Sequence, residues 1–442
     1  MNEWSTQLAA QLPQDSGSRP DWFRALRHAG AEQFRTHGLP TRKDEAWKYT
    51  GLAVLEQHGT QLANGVEATL SSAATPLIEV RHQIDMLDGR MLDTCAELPA
   101  GVTLLSLDEA LCGGINGLQE LLELLPQSAQ KKLSSDGFTA LNTATLGNGM
   151  VIHVAAGIDG GRFLLRWSTT AGGNTGSGAR LFNSRICLIL EAGARLELVE
   201  QFETPHANAN TSNIVIQADL GEGASLHHVR LVQEFPEASL ITRTEVSQKT
   251  DSEYAYYGFD LDGGLVRHDL HCSLIGSAAK ASLSGVYLLD GKRHVDNHAK
   301  VEHIGPDGFS EQYFRGVIGG SAKAVFNTAV YIHPGADGAE AKQSNANILL
   351  SKRAEIDTKP ELEIYADEVI AGHGATVGQL DEQAIFYLRS RGLNKDQSKR
   401  ILTTAFCRTV CDRLAYKMSD DKLADAISQR MMDVMPQADD AG

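Results

Sequence analysis

Beyond residue 178 the chain alternates apolar and polar side chains with a period of two. Arg195-Leu196-Glu197-Leu198-Val199-Glu200 and Asn213-Ile214-Val215-Ile216-Gln217-Ala218 show it most clearly. This pattern predicts strands with one buried face, not helices. A glycine followed by small residues often precedes such a strand, at Gly193-Ala194, Gly223-Ala224-Ser225, Gly276-Ser277-Ala278-Ala279 and Gly320-Ser321-Ala322. The turns recur at uneven intervals of roughly 30 to 55 residues, the length of one or two coils of a solenoid. A parallel β-helix accommodates this best, and a β-sandwich is the alternative the pattern leaves open. No β-α-β alternation runs through the region, which argues against a doubly wound sheet.

Both ends read as helical. From about Ser5 to Ala63, Trp22, Leu26 and Ala29 recur at helical spacing before the breaker Gly38-Leu39-Pro40. The charged and aromatic run from Thr41 to Thr50 predicts a helix start carrying an amphipathic anchor. Residues 64–145 mix strand-like and helical segments, and the Gly-rich stretch 169–178 predicts an exposed hairpin tip. After Leu380, Ile401, Leu402, Ala405, Phe406, Val410 and Leu414 form an apolar stripe, with Asn394 and Gln397 as a capping box, and a second helix spans about 420–435. The expected architecture is mainly β: a β-helix core (64–378, with a mixed first segment) between helical domains at 1–63 and 379–442. The helices are expected to cap the terminal coils, whose edges and apolar cross-section are otherwise exposed.

Composition narrows the function. A net charge of −16 over 442 residues repels polyanions and offers no basic stripe, so neither nucleic acid nor an anionic membrane is expected as a partner. The sequence shows no signal-peptide pattern at Met1-Asn2-Glu3-Trp4-Ser5 and no run of about 18 apolar residues, so a cytoplasmic protein is expected. Cys95, Cys112, Cys187, Cys272, Cys407 and Cys411 are scattered without a disulfide or zinc-finger spacing, and reduced thiols are expected.

Phosphate-loop, dinucleotide, nucleophile-elbow and zincin motifs are all missing, which favours a scaffold or binding subunit over an enzyme. One candidate metal site is His294, Asp296 and His298, which share a face of a strand. Two imidazoles and a carboxylate suit zinc or ferrous iron, which would make the chain a metal-dependent β-solenoid enzyme. The competing reading is a hydrogen-bonded ladder along stacked coils. His227, His228, His268 and His271 read as structural or surface histidines. Cys407 and Cys411 share a helix face but fall beside the apolar stripe and read as core residues. His373 stands between glycines in Gly372-His373-Gly374-Ala375-Thr376-Val377-Gly378, with little cover, where it faces a partner or a metal.

Longer motifs carry a resemblance. Ile364-Tyr365-Ala366-Asp367-Glu368-Val369, His373-Gly374-Ala375-Thr376-Val377-Gly378 and Phe386-Tyr387-Leu388-Arg389-Ser390-Arg391-Gly392 resemble the SufD branch of the SufB/SufD family. Phe314-Arg315-Gly316, the segment Asn345 to Leu350, Thr358-Lys359-Pro360-Glu361-Leu362-Glu363, and Gly38-Leu39-Pro40-Thr41-Arg42 with Trp47-Lys48-Tyr49-Thr50 are similar to the family core. The resemblance implies a right-handed parallel β-helix in a non-catalytic scaffold subunit of the SufBCD iron–sulfur cluster assembly complex. It implies a heterodimer with SufB, a SufC ATPase docked on the C-terminal helices, and a nascent cluster at the SufB interface, with none tightly bound to the isolated chain. A homodimer is the corresponding expectation when SufB is missing. His373 matches the histidine implicated in cluster assembly, as ligand or proton carrier. Many relatives place a cysteine where this chain has Ala371, so most ligands would come from SufB. No flavin motif matches.

Overall fold

The computed structural model describes residues 3–13, 19–63, 76–92, 97–129, 136–170, 179–204, 209–233, 235, 237–418 and 420–435. Two ten-stranded sheets face each other, and from residue 149 onward successive strands alternate between them with parallel pairing. Ser225, Glu253, Lys280, Phe309, Glu340 and Ile370 fall in one register column, so a coil takes about 30 residues. This is a parallel β-solenoid. The uneven turn spacing in the sequence arises because coil length varies by a few residues and some corners lack the glycine signal.

The corners explain the glycine-plus-small pattern. Gly193, Gly223 and Gly320 adopt φ of 68°, 65° and 54°, which costs other residues strain. The alanines that follow at Ala194, Ala224, Ala279 and Ala322 are fully buried, where larger side chains would collide with the core. Inward strand positions stack into one apolar column running from Ile84 and Met150 to Val330 and Ala341.

The helices do not cap the ends; they lie on the two outer faces. Trp4, Leu8, Phe34, Leu39 and Trp47 pack with Phe138, Leu181, Ile241 and Leu265, covering one sheet. The buried stripe of helix Asp21–His37 is Phe23, Leu26, Gly30 and Phe34, one residue out of phase with the predicted Trp22 and Ala29. Gly30 sits on this stripe because a Cβ there would come within 2.8 Å of the Ala144 nitrogen. The predicted helix start at Thr41–Thr50 is only a short 3-10 turn, Glu45–Trp47, pinned through Trp47.

Helices Lys395–Met418 and Asp421–Asp433 cover the other sheet, packing on Val199, Val229, Leu231, Tyr257, Phe259 and Leu288. The capping box is as expected: Asn394 Oδ1 accepts from the Gln397 nitrogen (2.8 Å) and Gln397 Oε1 from the Asn394 nitrogen (2.9 Å). The buried face is rotated from the predicted stripe: Thr403, Cys407, Val410, Cys411, Leu414 and Met418 are buried, Cys411 against Met431 of the last helix, while Ile401 and Ala405 face outward. Ion pairs Arg413–Glu311 (2.7 Å), Lys417–Glu253 and Arg162–Asp420 edge this contact.

The predicted hairpin is corrected too. Strands Asp159–Ser168 and Arg180–Leu190, which flank the predicted tip, belong to opposite sheets and do not pair with each other. Residues 171–178 of that tip, and Cys95, lie outside the described residues. No described helix is long and apolar enough to cross a membrane.

Candidate functional site

With the helices on the flanks, the last coil is left open. Strands Glu355–Ile364 and Ile370–Gly378 terminate the two sheets, each bonded to a neighbour on one side only. On and beside them Ile364, Tyr365, Ile370 and Val377 are exposed, Ile370 at 67%, and Phe386 and Tyr387 are exposed on the helix that follows, Glu382–Ser390. Unpaired strand edges beside contiguous apolar side chains are what folded proteins ordinarily conceal.

His373 stands in the middle of this coil. It pairs in register with Gln343, as Ala371 does with Ala341 and Val377 with Asn347. Ala341, Gln343, Asn345 and Asn347 are buried, and Ala341 belongs to the solenoid core against which Ala371 packs. Strand alternation therefore puts His373 on the face that continues the solenoid interior, exposed at its mouth. A Cβ at Gly372 or Gly374 would meet nothing within 4 Å. The interior behind it is polar: Tyr287 donates to Asn347, Asn345 donates to the Tyr287 hydroxyl (2.9 Å), and Asn347 donates to the Thr376 carbonyl (3.2 Å).

The second candidate site lies on the outer face of the other sheet and does not meet His373. His294, Asp296 and His298 do share a face of strand His294–His303, and the N-terminal segment covers them. Asp296 Oδ2 accepts from Thr50 (2.6 Å) and from Arg267, and Asp296 Oδ1 lies 2.8 Å from His298 Nε2. The hydroxyl of Thr50 also lies 2.9 Å from His294 Nε2. The guanidinium of Arg267 donates to the Ala46 carbonyl, pairs with Asp269 (2.8 Å) and stacks 4.0 Å from the Trp47 ring centre. Burial alone raises the Asp296 pKa, but Arg267, His298 and Thr50 outweigh it and hold the carboxyl well below its usual range. The carboxylate is committed to this network. Among the described residues no group of three or more His, Cys, Asp or Glu is arranged to hold a metal ion.

A second ladder runs beside it. His271 Nδ1 bonds Glu245 (2.8 Å), its Nε2 lies 3.3 Å from Glu302, and Glu302 meets His333 (3.0 Å). Burial lowers the His271 pKa, but the two glutamates outweigh it and raise it to about 9 from 6.5. The resulting stability is complete below pH 6.5 and is lost as pH rises through about 9. The unfolding free energy from urea titrations between pH 6 and 9.5 is expected to fall by an amount on the order of 2–3 kcal/mol, and His271→Gln to flatten that slope.

The other singled-out side chains are structural. His228 joins Glu200 (2.8 Å) and Tyr254 (3.0 Å), and His268 joins Tyr256 (3.0 Å) and Thr244 (3.1 Å), all inside the solenoid. Burial pushes the Cys407 thiol up and Cys411 up to about 11, away from the thiolate a ligand needs.

Residues 172–406, just over half the chain, match the family model for the SUF system FeS cluster assembly SufBD core domain. The chain belongs to the SufBD family. It is 27% identical to an iron–sulfur cluster assembly SufBD family protein of Synechocystis, over 94% of this chain and 92% of that one. It is 26% identical to the iron–sulfur cluster assembly protein SufD of Escherichia coli, over 96% and 99%. A chloroplastic Arabidopsis thaliana protein, ABCI7, is 25% identical over 94% and 88%. Within the SufBD family these matches place it with the SufD type, and its role is in iron–sulfur cluster assembly. The matched region begins among the first coils and ends inside helix Lys395–Met418, so it contains the open coil and His373.

Sequence reasoning singled out His373 but not the apolar rim around it. The signal was present: Ile364, Tyr365, Ile370 and Val377 flank a stretch dense in charge, with Pro360 marking an edge strand.

Proposed function

We propose that this chain is a non-catalytic scaffold subunit that works in a SufBCD-type complex, its open coil covered by a SufB-like solenoid and its C-terminal helices holding a SufC-like ATPase. The observation that carries this reading is the open coil: two unpaired strand edges, exposed apolar side chains and an exposed histidine at the C-terminal end of the solenoid. A second solenoid ending in the same way would continue both sheets and bury those side chains. The nascent cluster, as cargo, would sit at this junction with His373 as a ligand or proton carrier. The methyl group of Ala371 supplies no thiolate, so the partner would bring the remaining ligands.

The outward face of helix Lys395–Met418 supports the ATPase part. Ile401 is 45% exposed and Tyr416 88%, apolar side chains that the solenoid does not use. The domain after residue 379 would therefore hold the ATPase while the coil before it holds the other solenoid. Free thiols at Cys112, Cys187, Cys272, Cys407 and Cys411 suit a reducing cytoplasm.

The test is co-expression with SufB-like and SufC-like partners, using the full chain, a truncation after Val377, and His373→Ala. The full chain is expected to recover both partners and acid-labile sulfide. The truncation should lose the ATPase, and His373→Ala should keep both partners but lower cluster yield several-fold. A full chain that recovers neither partner, or a lone chain that carries stoichiometric metal, defeats the proposal.

A further inference from the structure

Among the buried polar groups behind the open coil, the side-chain oxygen of Gln343 has no hydrogen-bond partner. Gln343 is 5% exposed and lies in register between Gln312 and His373, one coil apart on each side. Its amide nitrogen donates to Thr328 Oγ1 (2.9 Å). Thr328 in turn donates to Gln312 Oε1, and Gln312 donates to the Ala329 carbonyl (3.3 Å). The Ala329 carbonyl accepts only, so it fixes the Gln312 amide with its oxygen toward Thr328. The Thr328 proton is thereby used, and the hydroxyl oxygen accepts from Gln343. This chain of donors fixes the Gln343 amide as well, and its Oε1 is buried with no hydrogen-bond partner. Buried carbonyls without partners are uncommon and call for an account.

The neighbour on the open side is His373. Adjacent strands lie about 4.8 Å apart, and the two side chains leave the same face of their strands. The flanking Gly372 and Gly374 bring no side chain that competes for the imidazole. We infer that Gln343 is the positioning residue for His373: its Oε1 accepts one imidazole N–H when a partner closes the coil. The inference rests on the proposed role of His373. A neutral imidazole with one nitrogen donating inward presents the other as a lone pair, turned outward to a cluster iron or a proton. Closure removes the competing water, and the bond strengthens in the drier junction.

The experiment uses the full chain in complex with its SufB-like partner, with 15N-labelled histidine. The His373 resonance is assigned by its loss in His373→Gln. In the parent complex one tautomer is expected to dominate by more than tenfold. Gln343→Met, which keeps the length but lacks the acceptor, should mix the tautomers and lower cluster yield to the His373→Ala level. Gln343→Glu, which keeps an acceptor, should restore the single tautomer and at least half the yield. Thr328→Val, which frees the Gln343 amide to turn, gives an independent variant with the Gln343→Met signature. Unchanged tautomers in Gln343→Met and Thr328→Val overturn the assignment while leaving the role of His373 standing. Unchanged cluster yield in His373→Ala overturns that role itself, and the positioning assignment with it.

Discussion

Replacing Arg267 by methionine is expected to destabilise the chain by about 3–5 kcal/mol, the cost of leaving a buried charge without its partner. The side chains of Arg267 and Asp296 are each 1% exposed, and the guanidinium also pairs with Asp269, bonds the Ala46 carbonyl and stacks on Trp47. Methionine fills the volume but leaves Asp296 with only Thr50 and His298. It also removes the Ala46 and Trp47 contacts that fasten the N-terminal segment to the solenoid. The urea midpoint should therefore drop sharply, with faster proteolysis near residues 41–50. The double variant Arg267→Met/Asp296→Leu should recover much of the loss, because the fully buried carboxylate goes with its partner while Asp269, 22% exposed, still reaches water. The same experiment decides between an ion-pair network and a metal centre. In a metal centre, a chelator would lower the parent midpoint, and Asp296→Asn would release metal. In the network drawn here, the chelator leaves the midpoint unchanged.

What the sequence made legible follows from what is local. Strand alternation and the glycine corners are set by the pleat and by φ, both readable within ten residues, so the solenoid was accessible without coordinates. The Asn394–Gln397 cap was readable for the same reason. The helical phase was less so. Whether Phe23 or Trp22 faces inward depends on the Thr143–Ala144 surface against which Gly30 packs, more than a hundred residues away in sequence. The same holds for Cys407 and Cys411, which are buried between the outer sheet and the last helix. Helices at both termini suggested end caps because a solenoid has two ends to hide. The outer faces of both sheets, however, carry apolar side chains as well, from Ile241 and Leu265 on one to Val229 and Phe259 on the other. Those faces take the helices, and the final coil is left for something else. His294, Asp296 and His298 were correctly grouped on one face. Their neighbour Arg267, in register with Asp296 from the preceding coil, was invisible at a separation of 29 residues.

The open coil then carries the second large effect. Val377 faces the solenoid mouth, 49% exposed and in register with Asn347, whose own side chain is buried in the polar interior. A carboxylate at this point costs the isolated chain little, since water reaches it. In an end-to-end junction it would be stripped of water beside apolar neighbours and unpaired backbone groups. Val377→Asp is therefore expected to weaken association with the SufB-like solenoid by roughly 2–4 kcal/mol, a 30- to 1,000-fold loss. Sedimentation of the mixed subunits measures it, and the urea midpoint of the lone variant should stay close to the parent. Ile401→Asp, on the outer face of helix Lys395–Met418, is the control that separates the two surfaces. It should impair ATPase capture and leave the solenoid junction intact. If Val377→Asp instead leaves the junction intact, the partner does not close the mouth of the solenoid. His373 would then remain solvated, and a cluster held there would have no dry pocket in which one imidazole could matter.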